Sequence, residues 1–146
     1  MEDVKEYYQM AHNDEAIKKY VPSSYPSDPR EAYELVGTYS QGDCSNDFYL
    51  LIEKNGIMIG AIIAVRTIGK TLDTSAFIFK PYRGKGIMTI VLSEFRDWLK
   101  RYTDFEEMSL VIKKGNNMSL MQAQKCGVVF QKEDEENEFY KIYLKQ

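Results

Sequence analysis

The chain has 146 residues, of which 44% are hydrophobic and 28% charged, with a formal net charge of −3 at pH 7. This composition is that of a globular protein, and the length fits one domain over residues 1–146. The acidic balance argues against nucleic-acid binding, and no apolar stretch approaches the roughly 20 residues of a membrane span. Because the segment MEDVKEYYQM also lacks the apolar core of a signal peptide, we expect a cytoplasmic protein.

Cysteine and histidine are too scarce to suggest a metal site. The two cysteines, Cys44 and Cys126, lie far apart without metal-ligand spacing, so we expect neither a bound metal nor a disulfide. The single histidine, His12, lies beside polar Asn13 and Asp14 near the N-terminus. We therefore expect His12 to be an exposed, structural residue.

The first third of the chain predicts two helices separated by a loop. The Pro/Ser-rich stretch PSSYPSDP, residues 22–29, is the loop. The first helix covers about residues 14–20. The second begins after Asp28, a plausible N-cap, with Pro29 at the first helical position, and it ends near residues 41–42.

Alternating apolar residues then predict a β-hairpin and a third strand. The hairpin strands cover residues 48–53 and 57–66, and Asn55-Gly56 between them is a strong turn signal. The third strand, about residues 71–79, ends in apolar residues that suit a strand buried on both faces: Phe77, Ile78 and Phe79.

The second half of the chain alternates helices and strands. A helix over residues 86–102 carries one apolar stripe, widened by Met88, Leu92 and Leu99; the stripe consists of Ile87, Val91, Phe95, Trp98 and Tyr102. A strand at residues 107–112, a short helix in NNMSLMQAQK and a hairpin of VVFQ and EFYKIYLK follow. We predict an α/β (α+β) fold: a mixed, mostly antiparallel twisted sheet with helices on both faces and one strand–helix–strand crossover.

The stretch KPYRGKGIMT, residues 80–89, lies between the third strand and the long helix. A glycine-rich turn at this position exposes backbone N–H groups, and the helix N-terminus adds partial positive charge, so the stretch suits a phosphate group. Gly84 and Gly86 permit close approach, while Arg83 and Lys85 add charge. The same residues also fit a basic turn that only caps a core helix.

Two sequence blocks resemble the GNAT superfamily of N-acetyltransferases. YRGKGIM resembles the acetyl-CoA signature Arg/Gln-x-x-Gly-x-Gly/Ala, with Arg83 and Gly86 matching and Met88 in place of the usual small residue. GNNMSLMQAQKCGVVF resembles the segment Asn-x-x-Ser/Ala…Lys-x-Gly-Phe, with Asn116 and Ser119 matching its start. The Asn-x-x-Ser form is similar to the branch that includes the ribosomal-protein N-terminal acetyltransferases.

The resemblance implies that acetyl-CoA is the co-substrate and that three segments hold it. The pantetheine arm would pair with the end of the third strand, the pyrophosphate would lie on the amides of the glycine-rich turn, and the next loop would contact the arm. In chain order these residues are Ala76, Phe77, Ile78, Phe79, Arg83, Gly84, Lys85, Gly86, Ile87, Met88, Thr89, Asn116 and Ser119.

The implied reaction is direct attack of a neutral amine on the thioester, with a base for the amine and an acid for the leaving thiolate. Many family members use a tyrosine seven residues after the asparagine. Ala123 stands there, so Ser119 is the predicted acid, with a helix-terminal hydroxyl as the alternative reading. The predicted base is Asp73, with Glu53 as second candidate; each also fits an ordinary surface carboxylate, and a water chain is the other option.

The expected acceptor is a primary amine of a small molecule or peptide. The acidic hairpin segment KEDEEN either borders a cationic acceptor or is an ordinary solvated loop. Several tyrosines either line the acceptor pocket or cover the edge of the core with their hydroxyl groups in water; these are Tyr7, Tyr8, Tyr20, Tyr25 and Tyr33. The resemblance also leaves room for a homodimer. The main alternative function is a non-catalytic acyl-CoA-binding or interaction domain on the same fold, and a third is a basic contact without CoA.

Overall fold

The computed structural model describes residues 2–39, 42–44 and 47–145. Its helices are α1 Glu2–Ala11, α2 Glu15–Tyr20, α3 Pro29–Tyr39, α4 Ile87–Tyr102 and α5 Asn117–Lys125. Its strands are β1 Gly42–Cys44, β2 Asp47–Lys54, β3 Ile57–Arg66, β4 Thr71–Ile78, β5 Glu107–Lys113, β6 Val129–Glu133 and β7 Asn137–Tyr143. Single 3-10 turns occur at Pro22–Ser24 and Lys80–Tyr82.

The strand pairing is mixed and mostly antiparallel. β1 pairs with β2, β5 with β7 and β6 with β7, all antiparallel. β4 and β5 pair in parallel, and α4 connects them, which is the predicted strand–helix–strand crossover. The predicted fold class, α/β (α+β) with a mixed sheet, is therefore confirmed.

The chain divides into two compact units, Met1–Ile63 with Ala76–Lys85, and Ala64–Ser75 with Gly86–Gln146. In the first unit the neighbouring strands are β1, β2, β3 and the end of β4, in that order. In the second they are the start of β4, β5, β7 and β6. No helix among the described residues combines the length and apolar character needed to cross a membrane.

Helices and strands of the first unit share one apolar core. α1 packs against α3, and residues from α1, α2, α3, β3 and the end of β4 meet there. The core consists of Tyr7, Ala11, Ile17, Ala32, Val36, Met58, Ala61, Phe77 and Phe79. Phe77, Ile78 and Phe79 are all buried, as the sequence predicted for this strand end.

Helix α1 was not predicted, although its apolar residues have helical spacing. Val4, Tyr7, Tyr8 and Ala11 lie three or four residues apart. Tyr7 and Ala11 are fully buried, and the Tyr7 hydroxyl donates a hydrogen bond to the Ser24 carbonyl. The expectation that Tyr7 lines a pocket or keeps its hydroxyl in water is therefore wrong.

His12 is half-buried rather than exposed, so that expectation is also wrong. Its ring stacks on Tyr8 at a centroid distance of 4.7 Å and on Tyr25 at 6.1 Å. The Tyr25 hydroxyl donates to the His12 carbonyl at 2.8 Å. Tyr8, one helical turn before His12, and Tyr25, thirteen residues after it, cover the ring, although its polar sequence neighbours had suggested that it faces water.

The two predicted helix starts are confirmed. The Asp14 carboxylate accepts hydrogen bonds from the first turn of α2, and Asp28 Oδ1 accepts from the Glu31 N–H at 2.9 Å before α3. Pro29 is the first residue of α3, as predicted. The predicted end of this helix, at residues 41–42, reaches Gln41, which lies outside the described residues.

The second unit buries one face of its strands. Met108, Leu110 and Ile112 on β5 are buried, whereas Val111 between them is 49% exposed. Met108 and Leu110 pair in register with the buried Ile142 and Tyr140 of β7. α4 turns Met88, Leu92, Phe95 and Leu99 into the core. Two residues of the predicted stripe differ: Trp98 and Tyr102 are exposed, with their ring centroids 5.9 Å apart.

Two local predictions differ in detail. Asn55 and Gly56 have φ of 54° and 79°, as a two-residue hairpin turn requires, so that turn is confirmed. The last hairpin turn is shorter than KEDEEN, because β6 continues to Glu133 and β7 begins at Asn137. Cys126 is a buried free thiol, while the side chain of Cys44 lies outside the described part of the chain.

Candidate active site

The end of β4 has a backbone arrangement that requires glycine on the neighbouring strand. A Cβ placed on Gly60 would lie 2.1 Å from the Phe77 carbonyl oxygen, closer than any real contact. The Phe79 N–H then donates to the Ile59 carbonyl at 2.8 Å. Close approach of the two backbones therefore fixes the strand end that was predicted to pair with the pantetheine arm.

The glycine-rich turn that follows is open on one side. Gly84 and Gly86 have φ of 76° and 75°, the left-handed conformation that glycine adopts most easily, and Lys85 between them has negative φ. A Cβ on either glycine would meet no heavy atom within 4 Å. The turn therefore leaves room beside its backbone.

The N–H groups of this turn are available to a ligand. Within the described residues, the N–H groups of Gly84, Lys85 and Gly86 have no hydrogen-bond partner, whereas that of Arg83 donates to the Lys80 carbonyl at 3.2 Å. Gly86 is the N-cap of α4, a helix of 16 residues with no acidic side chain in its first turn. Its first N–H groups also lack intrahelical partners, so this backbone segment fits a phosphate group.

The two cationic side chains of the turn, Arg83 and Lys85, have different surroundings. The Arg83 guanidinium forms a bidentate ion pair with Asp14, with Nη1–Oδ1 at 2.9 Å and Nη2–Oδ2 at 2.6 Å. Its Nε donates to the Ile78 carbonyl at 2.8 Å. Lys85 is exposed, with Nζ 5.9 Å from the centre of the Tyr82 ring. Both cations were predicted to add charge beside the phosphate, but the charge of Arg83 is paired with the buried Asp14 carboxylate.

Met88, which stands where the acetyl-CoA signature that this stretch resembles has a small residue, points into the core. It is 5% exposed and belongs to the buried side of α4. Thr89 is half-buried, and its carbonyl lies 3.8 Å from the Cys126 sulfur. The larger side chain at position 88 is therefore accommodated by packing within the second unit.

Asn116 and Ser119 lie together at the start of α5. Asn116 is the N-cap, and its Oδ1 accepts a hydrogen bond from the Ser119 N–H at 3.3 Å. The Ser119 backbone, rather than its hydroxyl, makes this bond, and the residue is half-buried. The Ser119 hydroxyl is thus not used for the cap, and the acid role predicted for it stays a prediction.

The parallel pairing of β4 and β5 places Asp73 beside Ser109. The two residues are in register, and the Ser109 hydroxyl donates to Asp73 Oδ1 at 3.1 Å. Asp73 is exposed, as is Glu53 at the end of β2. The sequence did not indicate Ser109 as a functional residue, because the pairing joins positions 36 residues apart.

Asp14 is the other residue that the sequence analysis missed. The sequence indicated it only as a polar neighbour of His12 and as the start of the predicted helix over residues 14–20, yet it is 2% exposed and binds Arg83, 69 residues along the chain. A helix N-cap is a signal that sequence reasoning can detect, but the second partner of the same carboxylate is not. The structure thus adds a buried acid directly behind the glycine-rich turn.

The fold and the open glycine-rich turn agree with the predicted acyltransferase class, and comparison with known proteins identifies the family. The profile of the family described as "Acetyltransferase (GNAT) domain" matches residues 1–129. The chain therefore belongs to the GNAT acetyltransferases and is an acetyl-CoA-dependent N-acetyltransferase. A search of curated protein sequences found no match.

Solved structures share this fold at low sequence identity. A spermidine N-acetyltransferase from Vibrio cholerae, in complex with CoA and spermine, is 15% identical over 98% of this chain and 90% of its own, with a TM-score of 0.78. A GNAT-family acetyltransferase from Bacillus anthracis is 13% identical with the same coverage and a TM-score of 0.83. RimL, the ribosomal L7/L12 alpha-N-protein acetyltransferase, in complex with CoA, is 15% identical over 97% of this chain and 89% of its own, with a TM-score of 0.81.

Proposed function

We propose that this protein transfers the acetyl group of acetyl-CoA to a primary amine of a small molecule or a peptide. The observation that carries the proposal is the open turn at Gly84–Gly86, where unpaired N–H groups precede a long helix. Acetyl-CoA would supply the acetyl group as an activated thioester. We further propose that both compact units form one acetyltransferase domain, because the family match runs continuously through segments of each.

We assign the cofactor contacts to three segments. The N–H groups from Gly84 to Thr89 would hold the pyrophosphate, and the exposed Lys85 would add charge. The backbone of Ala76–Phe79 would pair with the pantetheine arm, and an N–H near Ile78 would polarise the acetyl carbonyl. Asn116 would contact the arm through its amide NH2, because its Oδ1 already accepts from the Ser119 N–H.

Two side chains carry the proton transfers in this proposal. Ser119 would give a proton to the thiolate, and its hydroxyl is free of the capping bond that Asn116 makes to its N–H. Asp73 would accept the proton of the amine. The Ser109 hydroxyl, 3.1 Å from Asp73 Oδ1, would orient that carboxylate.

The acceptor class follows from charge. Asp73 is exposed, and the turn at residues 134–136 is acidic, so a cationic amine is favoured on this unit's surface. Relatives of the same fold include a spermidine acetyltransferase and a protein N-terminal acetyltransferase. Polyamines and peptide N-termini are therefore the first acceptors to test, with amino acids as a third class.

Release of the CoA thiol, measured with a panel of these amines, tests the proposal. At least one amine should accelerate thiol release above the rate of acetyl-CoA hydrolysis. Tight binding of acetyl-CoA with no acceleration by any amine of the three classes would favour the non-catalytic, acyl-CoA-binding alternative. The cytoplasmic location and the homodimer stay predictions, to be checked by cell fractionation and by mass measurement in solution.

With an accepted amine in hand, Ser119→Ala should lower kcat by about 100-fold, the lower end of what a general acid contributes. Because Asn116 caps the Ser119 backbone, this substitution leaves the helix cap intact. Asp73→Asn should lower kcat similarly, since the amide cannot accept a proton. Ser23→Ala, at an exposed residue of the first 3-10 turn, is the matched control. An unchanged kcat in Ser119→Ala would refute the acid assignment.

A further inference from the structure

The Asp14 carboxylate links an N-terminal helix to the segment that leads into the glycine-rich turn. Asp14 is the N-cap of α2 and only 2% exposed. Its two oxygens accept hydrogen bonds from Ala16 N at 3.1 Å, Ile17 N at 3.3 Å, Lys80 N at 3.2 Å, Arg83 Nη1 at 2.9 Å and Arg83 Nη2 at 2.6 Å. One side chain thus binds both α2 and the residues directly before Gly84.

The segment between β4 and the turn is bound at both of its ends. Lys80 N–H donates to Asp14 at the start of the 3-10 turn, and the Arg83 side chain donates to Asp14 at its end. Arg83 also reaches back to the Ile78 carbonyl through Nε, at 2.8 Å. Within the segment, the Tyr82 N–H donates to the Phe79 carbonyl at 2.9 Å. These bonds leave the backbone entering Gly84 in one defined path.

A buried ion pair of this kind is a poor device for stability alone. The cost of removing two charges from water offsets much of their attraction, so an apolar pair of similar size serves stability equally well. What charge-assisted, bidentate bonds add is fixed geometry. A carboxylate with five donors is therefore explained better by the position it imposes than by the energy it contributes.

We propose that Asp14 is a positioning residue for the cofactor: through Arg83 and the Lys80 N–H, it holds the turn in the conformation that presents the N–H groups of Gly84, Lys85 and Gly86 to the pyrophosphate. This inference rests on the proposed cofactor role of that turn. It also gives Arg83 a different part from a phosphate ligand. All three guanidinium nitrogens donate inside the protein, so Arg83 braces the turn from behind.

The clamp is testable without cofactor by amide hydrogen exchange. Asp14→Ser keeps a side chain that caps α2 but removes the carboxylate that binds Arg83. In the CoA-free protein, we expect peptides covering residues 79–86 to exchange at least about tenfold faster in this variant, because local opening becomes easier. Peptides from β7, in the other unit, serve as the internal reference.

CoA affinity, measured by calorimetry, is the second arm. Asp14→Ser and Arg83→Met should each raise the Kd for CoA by at least about tenfold, because the binding-competent turn becomes a minor state. The double variant should bind no more weakly than the weaker single variant, since both changes remove the same clamp. Asp28→Ser and Arg30→Met are matched controls: Asp28 is an exposed N-cap, and Arg30 an exposed arginine of α3.

Steady-state kinetics distinguish positioning from general destabilisation. A clamp on the cofactor turn predicts a raised KM for acetyl-CoA with kcat and the KM for the amine near their wild-type values. Loss of folded protein would lower kcat alone. If Asp14→Ser does not fold, Asp14→Asn retains a cap and one acceptor, and Arg83→Lys retains the charge without the bidentate fork. We expect these two variants also to raise the KM for acetyl-CoA, but by a smaller factor.

Three results would overturn the proposal. The first is unchanged exchange of residues 79–86 in the Asp14 variants. The second is a wild-type Kd for CoA in the Asp14 variants while Arg83→Met weakens binding, which would make Arg83 a direct phosphate ligand. The third is strictly additive losses in the double variant. A wild-type protein that binds no CoA would instead refute the proposed cofactor role of the turn, and the exchange experiment would still decide on the clamp.

Discussion

Gly60 and Gly69 are two glycines with opposite constraints. At Gly60 an added Cβ would lie 2.1 Å from the Phe77 carbonyl oxygen, so it collides with backbone that cannot rotate away. At Gly69 an added Cβ meets nothing within 4 Å, and only the φ of 63° disfavours it. Space limits the first position, and conformation limits the second.

Gly60→Ala should therefore lower the free energy of unfolding by at least about 3 kcal/mol, because one of two paired strands must move. Gly69→Ala, the matched control, should cost only about 1 kcal/mol for the left-handed conformation. Urea denaturation at equilibrium measures both values. Equal losses in the two variants would show that β3 and β4 separate without difficulty, and the close approach would then not constrain the strand end.

The conformation of single residues could be predicted from the sequence, whereas their long-range partners could not. The residues of the turn, Gly84 and Gly86, were predictable because their conformation is a local requirement of a chain that passes from a strand to a helix. The partner of Arg83 was not, since a carboxylate 69 residues away is indistinguishable by pattern from any other polar residue before a helix. The same holds for Ser109, which becomes the partner of Asp73 only through strand register.

The hairpin of β6 and β7 contains a tyrosine, Tyr140, whose pKa is changed by folding. The Tyr140 hydroxyl donates to the Glu138 carboxylate on the same strand, and its ring packs edge-on against Phe130 at 5.6 Å. The hydrogen bond to Glu138, followed by burial, raises the pKa of Tyr140 from 10.0 to about 12. The folded hairpin thus holds the phenolic proton more tightly than the unfolded chain does.

Because the folded pKa is the higher one, this stabilisation is complete below pH 10 and is lost as the pH rises from 10 towards about 12. We expect the difference in unfolding free energy between wild type and Tyr140→Phe to shrink over that window. Urea titrations at several pH values on both sides of about 10 measure it. Glu138→Gln leaves an amide oxygen that can still accept the hydrogen bond but removes the carboxylate charge, so it should weaken the same pH dependence. A difference that stays constant across the window would contradict the assigned hydrogen bond.

Most element positions were predictable, whereas the orientation of elements was not. The bounds of β2 to β5 and of α4 and α5 agree closely with the predicted ranges, because periodicity, Asn55-Gly56 and the caps are short-range signals. The buried side of α4 was predicted only in part: Met88 and Leu92 of the widened stripe face the core, whereas Trp98 lies outside. A broad apolar stripe leaves the rotation of a helix to the shape of the surface beneath it.

For the whole molecule, binding of acetyl-CoA or CoA should raise the free energy of unfolding. A ligand that binds only the folded state adds about 2.7 kcal/mol at 100 times its Kd. We expect acetyl-CoA and CoA each to raise the unfolding temperature accordingly, in proportion to the logarithm of their concentration. Thermal unfolding followed by fluorescence is the measurement.

Gly86→Val is the control for this prediction. A β-branched side chain at φ of 75° is strained, and it fills the space beside the unpaired N–H groups. The loss of even one charge-assisted hydrogen bond would weaken binding by about 10- to 100-fold, so the variant should fold yet show little stabilisation by CoA. Wild-type stabilisation of Gly86→Val would place the phosphate elsewhere.

The sequence by itself determined the class of fold, the turn at Gly84–Gly86 and the helix starts at Asp14 and Asp28, because each depends on backbone preferences within a few residues. It also carried the family resemblance, since those motifs are contiguous. Only the tertiary structure decided that Asp14 binds Arg83, that Asp73 meets Ser109 and that Tyr7 is buried. Such contacts join residues distant along the chain, and only the packing of complete elements brings them within hydrogen-bonding distance.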